Sequence, residues 1–147
     1  MSMQRLDRKS AHRGQASVEA LLVLMILGLS IFGGIELSQG VAIRQALDSG
    51  AGASARALSL DPSQWSFAAS LAQQALDQNV MGNNAPVTLR VYDSGGMLRS
   101  SAWLSGSNFG TSFILEASAP FNADIPFLAN APMTIRVRHW GIVERYP

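Results

Sequence analysis

Hydrophobic and polar positions divide the chain into an apolar first third and an amphipathic remainder. Residues 20–35 are uncharged and apolar in every direction around a helical wheel, as in a helix surrounded by lipid or by other apolar helices. This run predicts a long first helix from Gln15 to about Leu58. Glycine weakens a helix interior, so we expect the helix to bend or unwind locally near Gly33 and Gly34.

A second helix is predicted from Asp61 to about Val80. Asp61 is a favoured N-cap residue, and Pro62 is favoured at the first helical position. Polar residues fill one continuous arc of the helical wheel, and apolar residues, among them Trp65, Phe67 and Leu76, fill the other. The pattern predicts a half-buried helix, which a turn at residues 81–84 closes.

After Pro86 the pattern changes to the two-residue alternation of strands. It predicts four strands, at about 86–92, 97–104, 113–118 and 133–143, with a hairpin turn at 93–96. A proline-containing loop is predicted at 119–132, and its apolar residues Phe121, Ile125, Phe127 and Leu128 are expected to fold back onto the core. A long N-terminal helix, a second amphipathic helix and a small antiparallel sheet of about four strands make an α+β fold.

Charge is distributed unevenly along the chain. Four basic residues and one acidic residue lie in 1–14, and the rest of the chain holds seven basic and nine acidic residues. A basic segment before an apolar run stays in the cytoplasm, which predicts a single-pass orientation with the remainder outside. This exported part is not basic, so nucleic acid is not an expected partner. At 147 residues, the chain has room for one domain beyond the apolar helix.

Three interpretations compete for residues 1–43. A secretory signal peptide needs a small-x-small cleavage site after the apolar stretch, and no candidate lies cleanly before a polar mature start. A plain single-pass anchor needs roughly 20 apolar residues, whereas this run meets Glu36 after sixteen. A plain anchor also leaves Glu19, a carboxylate beside the apolar run, unexplained.

The third interpretation rests on a resemblance. The junction Arg13-Gly14-Gln15, with Glu19 at the fifth position counted from Gln15, resembles that of type IV prepilins. More closely, residues 13–57 are similar to TadE-like pseudopilins of the tight-adherence (Flp) pilus system, because Glu36 and then Arg44-Gln45-Ala46 follow the apolar helix. Major pilins of this system carry Tyr after the Glu, whereas this chain has Ala20 and a sizeable C-terminal domain. The resemblance therefore implies a minor component.

The resemblance also implies an order of segments and a set of partners. Residues 1–14 would be a basic leader, 15–58 the membrane and assembly helix, and 59–147 an extracytoplasmic α+β domain. A prepilin peptidase would cut between Gly14 and Gln15 at the cytoplasmic side of the inner membrane. The other implied partners are pilins or pseudopilins of the same pilus and membrane lipid, and no cofactor is implied.

Within this pattern Glu19 is expected to contact another subunit. Its carboxylate would meet the freed α-amino group of Gln15 on a neighbouring subunit, because a buried charge is stabilised only by a well-placed partner. The alternative is that the carboxylate reaches headgroup water and has no specific partner.

Seven small residues lie at unbroken four-residue steps along the first helix and form what we call the small-residue ridge. Residues four apart stack on one side of a helix, and small side chains let neighbouring helices approach closely in lipid. We therefore expect helix packing along the ridge, although a simple abundance of small residues produces the same pattern. The ridge comprises Ser30, Gly34, Ser38, Ala42, Ala46, Gly50 and Ser54.

Catalytic chemistry has little support in the sequence. There is no cysteine, and no carboxylate cluster has the spacing of metal ligands. His12 lies in the leader, and His139 lies in a predicted strand, where a structural or surface role is expected. A basic and aromatic patch is the remaining candidate for ligand binding, and it is formed by Arg136, Arg138, Arg145, Trp140 and Tyr146.

Three functional hypotheses remain. The first is a minor pseudopilin, not an enzyme, that takes part in the assembly of a tight-adherence pilus. The second is an adhesion domain, tethered to the membrane or to a pilus tip, that binds a surface through its strands and loops. The third is a small exported enzyme, for which the sequence offers no catalytic groups.

Overall fold

The computed structural model describes residues 7–79, 85–123 and 131–144, and these residues form an α+β fold. Its first helix, α1, runs unbroken over Asp7–Leu60, about 80 Å at 1.5 Å per residue. The expected local unwinding is wrong, because Gly33 and Gly34 are both helical. A glycine costs a helix interior only about 1 kcal/mol, and the strong helix formers around this pair offset that cost.

The second helix, α2, spans Trp65–Asp77 and begins three residues later than Pro62, the predicted first position. The carboxylate of Asp61 accepts hydrogen bonds from the backbone N–H and the hydroxyl of Ser63, so it closes the turn before the helix and does not cap the helix itself. Phe67 is half exposed, contrary to its place in the predicted apolar arc. The buried stripe of α2 is narrower than predicted and consists of Ala68, Ala72 and Leu76.

Four antiparallel strands form one sheet in the order β2-β1-β3-β4. They are β1 (Thr88–Asp93), β2 (Leu98–Arg99), β3 (Ser112–Ala123) and β4 (Ala131–Ile142). The predicted hairpin turn at 93–96 is confirmed, since Asp93 and Met97 are joined by a backbone hydrogen bond and Gly96 has a φ of 80°. A left-handed φ of this size favours glycine, which explains the residue at that position.

The second predicted strand is wrong over most of its length. Pairing ends at Arg99, and residues Ser101–Ser105 form a short helix, α3. The Ser100 hydroxyl accepts a hydrogen bond from the backbone N–H of Trp103, so it caps the helix start. A side-chain cap of this kind competes with strand pairing, and the alternation of residues 97–104 did not reveal it.

Residues 119–123 and 131–132 of the predicted loop at 119–132 are strand. β3 continues to Ala123 and β4 begins at Ala131, in a register that pairs Pro120 with Thr134. Pro120 and Pro132 are tolerated in these strands because of the direction in which their backbone nitrogens point. The N–H of Val143 donates to the carbonyl of Thr111, and hydrogen-bonded and non-hydrogen-bonded residue pairs alternate along the ladder from this pair. Both prolines fall in non-hydrogen-bonded pairs, so their nitrogens face away from the β3–β4 ladder. The other predicted loop residues, Ile125, Phe127 and Leu128, and the turn at 81–84, lie outside the described residues.

The core lies between the second half of α1, α2 and one face of the sheet. One cluster joins Ile43, Leu47 and Ala51 of α1 to Leu76 and to inward residues of β3 and β4. A second cluster joins Ala55 and Leu58 to Phe113, Leu115, Leu104 and Val143. Within it, a Cβ at Gly141 would overlap the ring of Phe113 directly across the ladder, so only glycine fits there. The residues that α1 contributes to the two clusters all lie from Ile43 onward, and the first half of α1 contributes to neither cluster.

Candidate assembly and membrane interface

The first half of α1 is apolar and is not covered by the rest of the chain. No residue from Gln15 to Ala42 is buried, and Leu21 and Leu24 are each about two-thirds exposed. In the part of the chain that the structure describes, α1 is the one helix long and apolar enough to cross a membrane. A helix that is apolar on every side needs lipid or other helices around it. The length and composition of this segment therefore fit a single-pass membrane anchor.

The predicted cleavage junction lies inside this helix. Gly14 and Gln15 belong to α1, and Glu19 is an exposed residue about 6 Å further along the axis, one turn from Gln15. Both Gln15 and Glu19 therefore face outward, where another molecule can contact them. Two roles remain predictions: that of Gly14 and Gln15 in processing, and that of Glu19 in assembly.

The structure divides the small-residue ridge into an outward and an inward part. Ser30, Gly34 and Ser38 are exposed, and a Cβ added to Gly34 would meet no atom within 4 Å. The hydroxyls of Ser30 and Ser38 donate to backbone carbonyls four residues earlier, each at 2.8 Å. Their polarity is thus satisfied inside α1, which leaves a small, uncharged surface open to a neighbouring helix.

The inward part of the ridge packs within the chain. A Cβ at Gly50 would lie 2.9 Å from the Cβ of Ala75 and 3.0 Å from the Cα of Ala72, so α1 and α2 touch at this glycine. The Ser54 hydroxyl donates to the carbonyl of Ala68 at 2.6 Å. Ala46 is buried in the same core as Leu76, and the carbonyl of Ala42 accepts from the Asn79 side chain at 2.9 Å. These four positions face α2, so only the outward part is available to another subunit.

A groove opens where the hairpin of β3 and β4 meets α1, and we call it the hairpin groove. Phe121 of β3 lies against Gly40 of α1. Its ring atom Cε1 is 3.6 Å from the position that a Cβ on Gly40 would occupy. The groove has a volume of about 690 Å³. Glu36 borders it, and the Oε2 atom of Glu36 is buried without a hydrogen-bond partner among the described residues. In the sequence, Glu36 is recognisable only as an acidic residue after the apolar run. The groove beside it could not be predicted, because it depends on the tertiary contact between Phe121 and Gly40.

The outer face of the sheet holds a buried carboxylate that the sequence did not reveal. Glu116 is 2% exposed, and Arg138 donates to its Oε2 from two nitrogens at 2.7 Å, while the Tyr92 hydroxyl bonds its Oε1 at 3.2 Å. The hydrogen bond to Glu116 raises the pKa of Arg138 above its ordinary value. The strand alternation predicted an ordinary outward residue, because the side chains that cover Glu116 come from two other strands.

This pairing changes the predicted basic and aromatic patch. Arg138 is engaged with Glu116 and stacks over Tyr92, 5.3 Å from the ring centroid. Trp140 is exposed, and Arg145 and Tyr146 lie outside the described residues. The register places Trp140 in one cross-strand row with Ile114, Tyr92 and Leu98 on the outer face. The row is apolar and aromatic, so the surface differs from the basic patch that was expected.

His139 has a structural contact that fits its expected role. Its Nε2 lies 3.0 Å from the Asp48 carboxylate, and its ring lies 3.4 Å from where a Cβ of Gly52 would be. The contact fastens β4 to α1. His12 is in the part of α1 whose side chains are not described. Over 15–79, 85–123 and 132–144, where side chains are described, no group of three His, Cys, Asp or Glu is arranged to hold a metal ion.

Comparison with known proteins finds a similarity in the N-terminal part of the chain. No curated protein and no solved structure matches it. A family model described as TadE-like protein matches residues 14–56. The matched segment covers the glycine of the junction, Glu19, the uncovered apolar helix, Glu36 and the whole small-residue ridge. The similarity to the TadE-like family model therefore extends over residues 14–56.

Proposed function

We propose that this protein is a minor pseudopilin of a tight-adherence pilus. The TadE-like segment indicates involvement in that pilus system, whose TadE-like members are structural proteins and not enzymes. In this proposal α1 holds the protein in the inner membrane, a prepilin peptidase cuts between Gly14 and Gln15, and the processed subunit joins other pilins or pseudopilins during assembly.

The observation that carries the proposal is the uncovered apolar half of α1 beside the junction. Thirteen large apolar side chains between Val18 and Val41 are about half exposed or more. Burying each one fully contributes about 1.5–3 kcal/mol, so the segment is stable only when lipid or neighbouring helices surround it. A pseudopilin uses both surroundings in turn, first the membrane and then the bundle of helices in the fibre.

Processing provides the direct test. The full chain is co-expressed with the prepilin peptidase of its own pilus system, and the N-terminus is determined by mass spectrometry. The expected mature chain begins at Gln15, and Gly14→Arg remains uncut because a bulky charged side chain replaces glycine at the scissile bond. His12→Arg adds the same charge two residues earlier and is expected to be cut. An uncut wild-type chain in cells that assemble functional pili would refute processing.

The aromatic row on the outer sheet face supports a second candidate function, adhesion. Trp140 is 68% exposed and Leu98 is 60% exposed, and exposed aromatic side chains are favoured anchors in binding interfaces. For this function, Trp140→Ser would reduce attachment of cells to a surface while the number of pili per cell stays unchanged. Ile142→Ser changes an exposed apolar residue at the strand end and is the matched control. Unchanged attachment in Trp140→Ser would refute this candidate.

A further inference from the structure

We infer that the hairpin groove is a binding site for the headgroup of a bilayer phospholipid. In this arrangement Arg44 and Arg136 hold the phosphate, while Leu37, Val41 and Met133 lie against the upper acyl chains. The inference rests on the proposed membrane anchoring of α1, and it assigns the sheet hairpin to the membrane surface as well.

Position along α1 is the first argument. The hydrocarbon core of a bilayer is about 30 Å thick, which corresponds to about 20 helical residues. Counted from Glu19, it ends near Gly40, where Phe121 lies against the helix. Arg44 follows about 6 Å further along the axis, at the depth of the headgroups. The groove at Gly40 therefore opens at the boundary between acyl chains and headgroups.

The exposed apolar residues around the groove give the second argument. Leu37 is 70% exposed, Val41 is 49% exposed and Met133 is 48% exposed. Leu37 and Val41 are one helical turn apart on α1, and Met133 lies across the groove at the start of β4. In water these side chains would form an uncovered apolar patch, whereas at the edge of the hydrocarbon core lipid covers all three.

Charge is the third argument, and it selects a phospholipid over a second protein helix. Arg44 and Arg136 line the groove, and neither forms an ion pair or hydrogen bond with any described residue. Two unpaired guanidinium groups next to an apolar surface match a phosphate at the top of acyl chains, because guanidinium binds phosphate oxygens in pairs of hydrogen bonds.

The absence of cysteine from the chain permits a clean measurement. Single-cysteine variants Val23→Cys, Met133→Cys and Ile142→Cys carry an environment-sensitive fluorophore, and each full chain is placed singly in nanodiscs of phosphatidylethanolamine and phosphatidylglycerol. Nitroxide groups on the lipid headgroups quench only nearby fluorophores. The Met133 label is expected to be quenched at least about three times as strongly as the Ile142 label, which lies about 30 Å further along β4.

The arginines are tested by charge removal. Arg44→Gln together with Arg136→Gln is expected to reduce quenching of the Met133 label, which stays above that of the Ile142 label because α1 still holds the groove at the membrane surface. Arg56→Gln removes an exposed arginine from α1, about 18 Å beyond Arg44 along the helix axis, and is expected to leave the quenching of the Met133 label unchanged. If Arg56→Gln reduces the quenching equally, general charge attraction and not the groove holds the lipid, and the inference is wrong.

The Val23 label separates this inference from the proposed anchoring. A quenched Val23 label with a Met133 label no more quenched than Ile142 would overturn the lipid site and leave the anchoring intact. A Val23 label without fluorescence change on reconstitution would overturn both. A Met133 label that is shielded only when discs hold two chains would show that the groove binds a second copy instead.

Discussion

At the scale of single residues, the role of the Glu19 carboxylate can be tested most directly. It is exposed at the start of the apolar run, and assembly into the proposed pilus would bury it. Burial of a charge is unfavourable unless a partner is present, and removal of one partner leaves the other uncompensated. The freed α-amino group of Gln15 on a neighbouring subunit is the partner that the proposal supplies.

We therefore expect Glu19→Ala and Glu19→Gln to be inserted and processed but to be absent from purified pili. Loss of the charge removes the cost of burying it and also removes the partner for the cleaved N-terminus. Processing is measured by mass spectrometry, and incorporation by immunoblot of sheared pili. Accumulation of the uncut form would make Glu19 a determinant of peptidase recognition, and normal incorporation would make it a bystander.

Asp93 gives a residue-scale prediction that depends on pH. The backbone N–H of Met97, the Arg99 side chain and the N–H of Gly95 all donate to its carboxylate, and together they lower the pKa of Asp93. A carboxyl group with a lowered pKa stabilises the fold above its ordinary pKa of about 3.9 and loses that contribution as pH falls through the lower folded value.

Consequently, the β1–β2 hairpin should lose stability below about pH 4. Asp93→Asn should lower the melting temperature at pH 7 and should show a smaller further loss at pH 3 than the wild-type chain. Arg99→Gln keeps the bond from Met97, the largest single cause of the lowered pKa, and should retain part of the pH dependence. Circular dichroism of the full chain in detergent measures both. An equal pH dependence in wild type and Asp93→Asn would contradict the assignment.

At the scale of elements, the small-residue ridge performs two different tasks along one helix. Gly50 and Ser54 let α2 approach α1, whereas Gly34 faces open space. The same four-residue spacing therefore supports folding in the second half of α1 and leaves a surface for assembly in the first half.

Leucine at the two glycines should separate these tasks. Gly50→Leu should lower the free energy of unfolding by about 1–3 kcal/mol or more, because the side chain would overlap Ala72 and Ala75. Gly34→Leu should leave the unfolding transition unchanged and reduce incorporation into pili. Chemical unfolding and pilus yield are measured for both. A Gly34→Leu variant that assembles normally would show that the outward ridge reflects composition only.

At the scale of the whole molecule, α1 joins a membrane segment to a folded domain without interruption. Half of the helix is uncovered, and the other half is the core element against which α2 and the sheet pack. One continuous helix of about 80 Å therefore connects the domain directly to the membrane segment. The hairpin groove lies where these two halves meet.

The charge distribution predicts the direction in which this molecule crosses the membrane. A basic leader is expected to stay in the cytoplasm, which predicts that the domain after Arg44 lies outside. A periplasm-specific reporter fused after Pro147 is therefore expected to be active, and a cytoplasm-specific one inactive. Replacement of Arg8, Lys9 and Arg13 by glutamine should weaken this bias. If only the cytoplasm-specific reporter is active, the predicted topology is wrong.

The sequence alone determined those features that depend on neighbours along the chain. The apolar run, the small-residue ridge, the turn at 93–96 and the alternating strands are local patterns, and each set an element or a resemblance without knowledge of the fold. Errors arose where a local signal had a competitor. Ser100 caps a helix inside a predicted strand, and Pro120 and Pro132 point away from the β3–β4 ladder inside a predicted loop.

Only the tertiary structure decided which residues meet. Glu116 is buried because Arg138 and Tyr92 reach it from two other strands, and Phe113 fits because glycine stands at position 141 across the ladder. Likewise, α2 covers Gly50 while nothing in the described chain covers Gly34, and the hairpin reaches Gly40 to form the groove beside Glu36. Periodicity gives the side of an element on which a residue lies, and three-dimensional packing decides what lies opposite.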